Sequence, residues 1–383
     1  MSDLVLYRKY RPKSFADVAG QEHVVKTLTN ALSMGRVAHA YLFTGPRGVG
    51  KTTIARILAK AVNCETRANE GLSPSKGTKS LKDDYEPCNK CDACNEMNEG
   101  RSLDLIEIDA ASNRGIDEMR ELRDGIKFSP ARLKYKVFII DEVHQLTKEA
   151  FNALLKTLEE PPAHAIFILA TTEIHKVPET IISRCQKFNF HKLTLDKIIN
   201  RMADIAKAEG VKIEKPALEL IAISAGGAMR DAESLLGQIM AMSAENDKEI
   251  TLEEVQTLLG ATDASAVIEM VNYLTANDAK GAIEFVNKIA DDGFDLEQFA
   301  KSLVNYLRKM MILKVDAGLA SLVAPELTEE NKKTILEQGQ KIPFENISKL
   351  IRQFIRAENE VASAVLPQLP IELVVIEAMG EGK

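Results

Sequence analysis

Four short runs in the first half of the chain are rich in apolar residues: His39–Gly45 (HAYLFTG), Leu103–Asp109 (LDLIEID), Lys136–Asp141 (KVFIID) and Ala165–Thr171 (AIFILAT). Each leads within a few residues into a helical pattern or a turn. Strands alternating with helices predict an α/β domain, a parallel sheet covered by helices on both faces. After about His191 the pattern changes. Thr194–Glu209, Lys215–Ala225, Met229–Ala244 and Leu252–Leu259 read as helices, with Gly210 and Gly226-Gly227 as stops. From Ala264 to Gly380 the helical pattern continues, broken by Asp292-Gly293, Pro325, Pro343 and Pro367. The expected division is therefore an α/β domain over 1–191, a small helical domain over 192–259 and an all-helical domain over 260–383. Residues 65–87 are polar and rich in turn-formers, and they read as a loop-like insertion.

Composition narrows the class. The chain has 383 residues, of which 45% are hydrophobic and 27% charged. Its longest stretch free of Asp, Glu, Lys and Arg is Pro161–Thr172, twelve residues. A membrane-spanning helix needs about 18, which excludes an integral helical membrane protein. The N-terminus (MSDLVLYRKYRP) lacks a signal pattern, so a cytoplasmic protein is expected. The formal net charge of −7 argues against a protein that coats nucleic acid by bulk charge. Residues 1–63 nevertheless hold ten Lys/Arg against three Asp/Glu, so polyanions are expected to be handled locally at that end.

The chemistry begins at Gly45-Pro46-Arg47-Gly48-Val49-Gly50-Lys51-Thr52, a full G-x-x-x-x-G-K-[ST] match between a strand and a helix. The glycines let backbone N–H groups approach phosphates, and the following helix N-terminus adds its partial positive charge. Lys51 is placed to reach the β- and γ-phosphates, and the Thr52 hydroxyl to bind Mg²⁺. The strand Lys136–Asp141 ends in Asp141-Glu142. Asp141 would organise the metal ion and Glu142 would polarise the attacking water; exposed acids capping the next helix are the plain alternative. Thr171-Thr172 closes the next strand, where a hydroxyl could sense the γ-phosphate or simply cap a turn. Together these residues make ATP hydrolysis the leading expectation.

Five cysteines are too few for a disulfide scaffold, but their spacing is informative. Cys88, Cys91 and Cys94 form C-x2-C-x2-C, and Cys64 upstream supplies a fourth thiolate, enough for a closed tetrahedral Zn²⁺ site of structural type. Four free thiols are the alternative. A [4Fe–4S] cluster is less suited, because no fourth cysteine followed by proline lies nearby.

These features add up to a resemblance. Tyr7-Arg8-Lys9-Tyr10-Arg11-Pro12, Phe15-Ala16-Asp17-Val18 and Gly20-Gln21 resemble the nucleotide-base box of AAA+ clamp-loader ATPases. The phosphate loop, Asp141-Glu142-Val143-His144, Asn152–Pro162 (NALLKTLEEPP) and Ser183-Arg184-Cys185 follow in that family's order. The four-cysteine module (about 64–98) narrows the resemblance to the motor subunits of the bacterial DNA polymerase III clamp loader.

The resemblance implies an AAA+ domain, a helical lid and an all-helical collar. It places Tyr7, Arg11 and Val18 at the adenine, and Gly45–Thr53, with Thr53 next to the metal-binding Thr52, around the phosphates. It makes Thr172 the first sensor, Arg230 the second sensor, and Arg184 a finger acting on the adjacent subunit. It implies ATP, Mg²⁺ and structural Zn²⁺ as cofactors. The implied partners are delta- and delta-prime-type subunits and further copies of itself in a five-subunit ring, the sliding clamp, and primer–template DNA held by its phosphates. A place in the cytoplasmic, nucleoid-associated replisome follows from the same resemblance. Family members continue past the collar into a tail that binds helicase and polymerase, so these residues are expected to be the motor portion. Two other readings compete: another AAA+ DNA motor of the Holliday-junction branch-migration type, and a clamp-loader scaffold that has lost hydrolysis.

Overall fold

The structure is a computed structural model of the chain, described here for residues 5–66, 85–112, 125–126, 128–243, 249–252, 254–255, 262–319 and 329–380. It forms two compact units, Met1–Leu252 and Glu253–Lys383.

The first unit is built on a five-stranded sheet: β1 (Ala40–Thr44), β2 (Leu105–Asp109), β3 (Lys136–Asp141), β4 (Ala165–Thr171) and β5 (Gln186–Asn189). The spatial order is β2-β3-β4-β1-β5, and every pairing is parallel. All five carboxyl ends therefore open on one edge, where ligands bind in open α/β sheets. The register sets Thr44 beside Thr171 and Asp109 beside Asp141, so the polar strand ends line up there.

Burial explains why these segments are strands. β1 and β4 are buried at every position, as central strands covered on both faces must be. Phe138 on β3 and Phe167 on β4 are register partners, and their rings stack at 5.2 Å between centroids. They join Ala150, Phe151, Leu154 and Leu158 of the helix Lys148–Glu159 in one core. Ile54, Ile57 and Leu58 of the helix Lys51–Asn63 are fully buried as well.

Four of the five strands coincide closely with the apolar runs in the sequence. The fifth does not: β5 reads QKFN, with only Phe188 buried. It pairs on one side only, with β1. An edge strand can hold its place on one apolar contact and a single ladder, so it carries no long apolar run. The same unit continues into the helices Leu195–Glu209, Lys215–Ser224 and Met229–Ser243. Gly210 ends the first of these in the left-handed conformation at φ 75. Most of the expected helix Leu252–Leu259, and residues 67–84 of the insertion, lie outside the described residues.

The described part of the second unit is helical: Thr262–Ala276, Ala279–Asp291, Leu296–Val315, Glu329–Lys341, Phe344–Val361 and Leu369–Gly380, with a short 3-10 turn at Ala317–Leu319. Asp278 and Asp295 cap two of these helices, accepting from the N–H groups of Gly281 and Gln298 at 2.9 and 3.0 Å. Phe299, Leu303, Leu307, Phe354 and Ile371 are fully buried in its core. Among the described residues, no helix is long and apolar enough to cross a membrane.

Candidate nucleotide site and cysteine cluster

The phosphate loop leaves β1 through a turn that only glycine fits. Gly45 has φ 148, and a Cβ there would sit 2.4 Å from the carbonyl oxygen of Phe190. Its N–H donates to the Thr171 carbonyl at 3.2 Å, which ties the loop to β4. Gly50, at φ 100, turns the chain into the helix that Lys51 opens. Lys51 is buried, and its Nζ donates to the carbonyls of Gly45 and Pro46 at 2.8 and 2.7 Å. Burial lowers the pKa of Lys51, while Glu142 and Asp141 pull it upward. One ammonium, two carboxylates and a helix N-terminus are thus gathered at the sheet's open edge.

The acidic pair is held from both neighbouring elements. The Thr52 hydroxyl donates to Asp141 Oδ2 at 2.7 Å, although the residues are far apart in sequence. A hard cation there would find a hydroxyl and a carboxylate oxygen side by side. Glu142 lies in the left-handed region at φ 46 and ψ 44, a conformation that a non-glycine residue keeps only when its surroundings impose it. Its Oε2 accepts from the Thr172 hydroxyl at 3.0 Å and lies 3.4 Å from His144 Nδ1. That same ring nitrogen is 3.0 Å from Thr171 Oγ1.

Lys51, Thr52, Asp141 and Glu142 border a cavity of about 460 Å³, within the size range of small-molecule sites. Arg47, Gly48, Val49, Gly50, Lys51, Thr52 and Thr53 form its phosphate-loop wall, beside Asp141 and Glu142. The N-terminal segment contributes Tyr7, Arg11 and Val18, and the helix Met229–Ser243 contributes Arg230. The Arg230 guanidinium lies 4.7 Å over the Tyr7 ring, and its backbone N–H donates to the Gly48 carbonyl at 3.3 Å.

The remaining sequence candidates fall outside this lining. Gly45 and Pro46 underlie the cavity through their bonds to Lys51, and Thr172 reaches it through Glu142. Arg184 lies elsewhere, donating to Glu159 Oε1 at 2.6 Å and to the Thr180 carbonyl at 2.7 Å. Arg201, Glu233 and Asp109 also line the cavity, although no sequence motif marks them. Glu233 follows Arg230 by three residues, so helical spacing alone sets both on one face. It is only 5% exposed, and burial pushes its pKa up to about 7 against the pull of Arg201 and Arg11.

Cys64, Cys88, Cys91 and Cys94 converge, with all four sulfurs within 4.8 Å of one another. The Cys88 and Cys94 sulfurs are 4.0 Å apart. A tetrahedral zinc–thiolate site spaces its sulfurs by about 3.8 Å, so this donor set matches one in number, type and reach. Burial opposes the ionisation of Cys88, but hydrogen bonds from Thr66 and from the Lys90 and Cys91 N–H groups bring its pKa down to about 6. Burial moves the Cys94 thiol the other way, upward.

A five-stranded parallel sheet carrying a phosphate loop after β1 and an acidic pair after β3, with a helical lid supplying an arginine to the same cavity, defines an AAA+ P-loop protein. Three family descriptions match in succession. They are "DNA polymerase III, delta subunit" over residues 20–194, "DNA polymerase III clamp loader subunit, ATPase lid domain" over 197–245, and "DNA polymerase III subunits gamma and tau domain III" over 250–381. DNA polymerase III subunit gamma of Buchnera aphidicola is 37% identical over the full length of both chains. DNA polymerase III subunit tau of Bacillus subtilis is 42% identical over 98% of this chain and 63% of its own length. The chain belongs to the DNA polymerase III subunit gamma/tau family. It spans about three-fifths of the length of the Bacillus relative. Among solved structures, a Thermotoga maritima RuvB Holliday junction branch migration motor is 20% identical, covering 69% of this chain and 79% of its own with a TM-score of 0.48.

Proposed function

We propose that this chain is the ATP-hydrolysing motor of the bacterial replicative clamp loader, opening the sliding clamp and placing it on primer–template DNA. The observation that carries this reading is a single cavity bordered by the phosphate loop, Asp141 and Glu142 in a chain of the gamma/tau family. Its division into an AAA+ domain (1–191), a lid (192–259) and a collar (260–383) is part of the same proposal.

In the proposed mechanism ATP lies along the phosphate loop with its base toward Tyr7, Arg11 and Val18. Lys51 exchanges its bonds to the Gly45 and Pro46 carbonyls for the β- and γ-phosphate oxygens. Thr52 and Asp141 would hold Mg²⁺, which supplies positive charge to the phosphates when bound. Glu142 orients and polarises the attacking water. The 3.0 Å bond from Thr172 supports its role as a sensor, because it fixes the carboxylate that must meet that water. Arg230 links lid and phosphates, which fits its place in the cavity wall. Arg184 acts on the adjacent subunit, and its position away from this chain's own cavity supports that reading.

The four cysteines hold structural Zn²⁺; a site closed by four thiolates has no open position for chemistry. The partners are delta- and delta-prime-type subunits in a five-subunit ring, the clamp, and DNA gripped through its phosphates, which requires charge and shape but no base readout. Losing the γ-phosphate contacts loosens the assembly and releases the closed clamp, so hydrolysis times a conformational cycle. The replisome at the nucleoid is the proposed location. Lys51→Ala tests the site directly. Turnover should fall by at least about a hundredfold in an assembled loader, whereas unchanged turnover would point to a scaffold that does not hydrolyse.

A further inference from the structure

Between Pro12 and Ala19 the chain forms neither helix nor strand, yet Pro12, Asp17, Val18 and Ala19 all line the nucleotide cavity. Asp17 is held locally, accepting from the Ser14 N–H and hydroxyl, and the contacts that reach Lys13, Phe15 and Ala16 from elsewhere come largely from the cysteine region. Glu86, just ahead of Cys88, accepts the Phe15 N–H on Oε2 at 2.8 Å and the Ala16 N–H on Oε1 at 2.9 Å. Asn89, between Cys88 and Cys91 and left-handed at φ 53, donates to the Lys13 carbonyl at 3.1 Å. The buried Phe15 ring meets Tyr85 edge-on at 6.4 Å.

Lys60 binds the parts together. It is only 3% exposed and lies on the helix that the phosphate loop opens. Its ammonium donates to the Lys13 carbonyl at 2.7 Å and to Asn89 Oδ1 and Asn98 Oδ1, each at 2.8 Å. Asn98 ends the short helix Asp92–Asn98 that carries Cys94. One buried cation therefore joins the phosphate-loop helix, the wall segment, the stretch between Cys88 and Cys91 and the helix that carries Cys94. A buried ammonium is tolerated only with such full pairing, and removing it takes a donor from Asn89 Oδ1, from Asn98 Oδ1 and from a Lys13 carbonyl that would keep only its longer bond from Asn89.

We infer that Lys60, Glu86 and Asn89 are positioning residues through which the closed cysteine cluster sets the base-side wall of the nucleotide cavity, so that ATP affinity depends on an intact cluster. This inference rests on the nucleotide reading of the cavity. Closure of the four thiolates fixes residues 85–91, and those residues fix 13–16. The phosphate loop has anchors of its own, the Gly45 N–H on the Thr171 carbonyl of β4 and the Arg230 N–H on the Gly48 carbonyl.

The test compares the full-length native protein with Lys60→Met, Glu86→Ala and Asn89→Gly; glycine keeps the left-handed backbone while removing the amide. Binding of ATP and of inorganic tripolyphosphate is measured by calorimetry, alongside KM, kcat and bound metal. The expected result is a roughly tenfold loss of ATP affinity and a matching rise in KM, with tripolyphosphate affinity and kcat within about twofold of native. Stripping metal from the native protein with a mercurial and chelator should reproduce that loss, and should add little to Lys60→Met. Native-like ATP affinity in the stripped protein or in the Glu86 and Asn89 variants would overturn the inference. So would a parallel loss of tripolyphosphate binding, which would mark general loosening. If Lys60→Met fails to fold, the other two variants decide. A native protein that binds neither ligand would instead refute the nucleotide reading itself.

Discussion

Glu233 lies one helical turn beyond Arg230, nearly buried, with Arg201 Nε 3.9 Å from its carboxylate. Its pKa is raised from 4.5 to about 7, so the folded state favours the neutral acid. The sign follows from linkage: folding bears no cost from this group below about pH 4.5, loses stability as pH rises toward 7, and carries a constant deficit above that. Glu233→Gln should therefore stabilise the first unit by about 1–3 kcal/mol at pH 8 and by much less at pH 5. Thermal melts at the two pH values check this, and an equal shift at both would contradict it. Neither Glu233 nor Arg201 was legible in the sequence, because each is an ordinary charged residue on a helix until the fold brings it to the cavity. Lys51, Thr52, Asp141 and Glu142 were legible because phosphate chemistry requires those types within a few residues of a strand end.

Among the elements, the loop after β1 carries the sharpest geometric demand. A Cβ at Gly45 would collide with the Phe190 backbone at 2.4 Å, whereas one at Gly50 would meet nothing within 4 Å. Gly45→Ala should cost about 2–4 kcal/mol in denaturant unfolding, and Gly50→Ala only about 1 kcal/mol for its positive φ. Equal costs would show that the Phe190 contact does not restrain the loop. Phe138, stacked on Phe167 between central strands, gives a second check: Phe138→Ala should cost about 3–5 kcal/mol. The central strands were readable because burial on both faces demands apolar residues throughout. β5 was not, since an edge strand needs only Phe188 inside. The cysteine spacing announced a metal-type cluster, but its ties to the N-terminal segment depend on Lys60, Glu86 and Asn89, which match no motif.

At the scale of the whole molecule, Arg184, proposed to act on the adjacent subunit, lies away from this chain's own cavity. Within the single chain Arg184 is engaged with Glu159 on an exposed surface. A pair of that kind contributes no more than about 1 kcal/mol, so a neighbouring γ-phosphate can draw the guanidinium away at little cost. Helical periodicity and the order of motifs made the change from α/β to all-helical chain readable; the sequence pattern divides the chain in three, whereas the contacts join the helices up to Leu252 to the sheet in one unit. No single chain specifies which residues complete a neighbour's site. The most direct test is steady-state ATP hydrolysis with the sibling clamp-loader subunits present, with and without sliding clamp and primer–template DNA, for the native chain and Arg184→Ala. Strong stimulation by clamp and DNA is expected, lost by a factor of about 10³ or more in Arg184→Ala. A rate that clamp and DNA leave unchanged, and that is indifferent to Arg184, would contradict the proposed function.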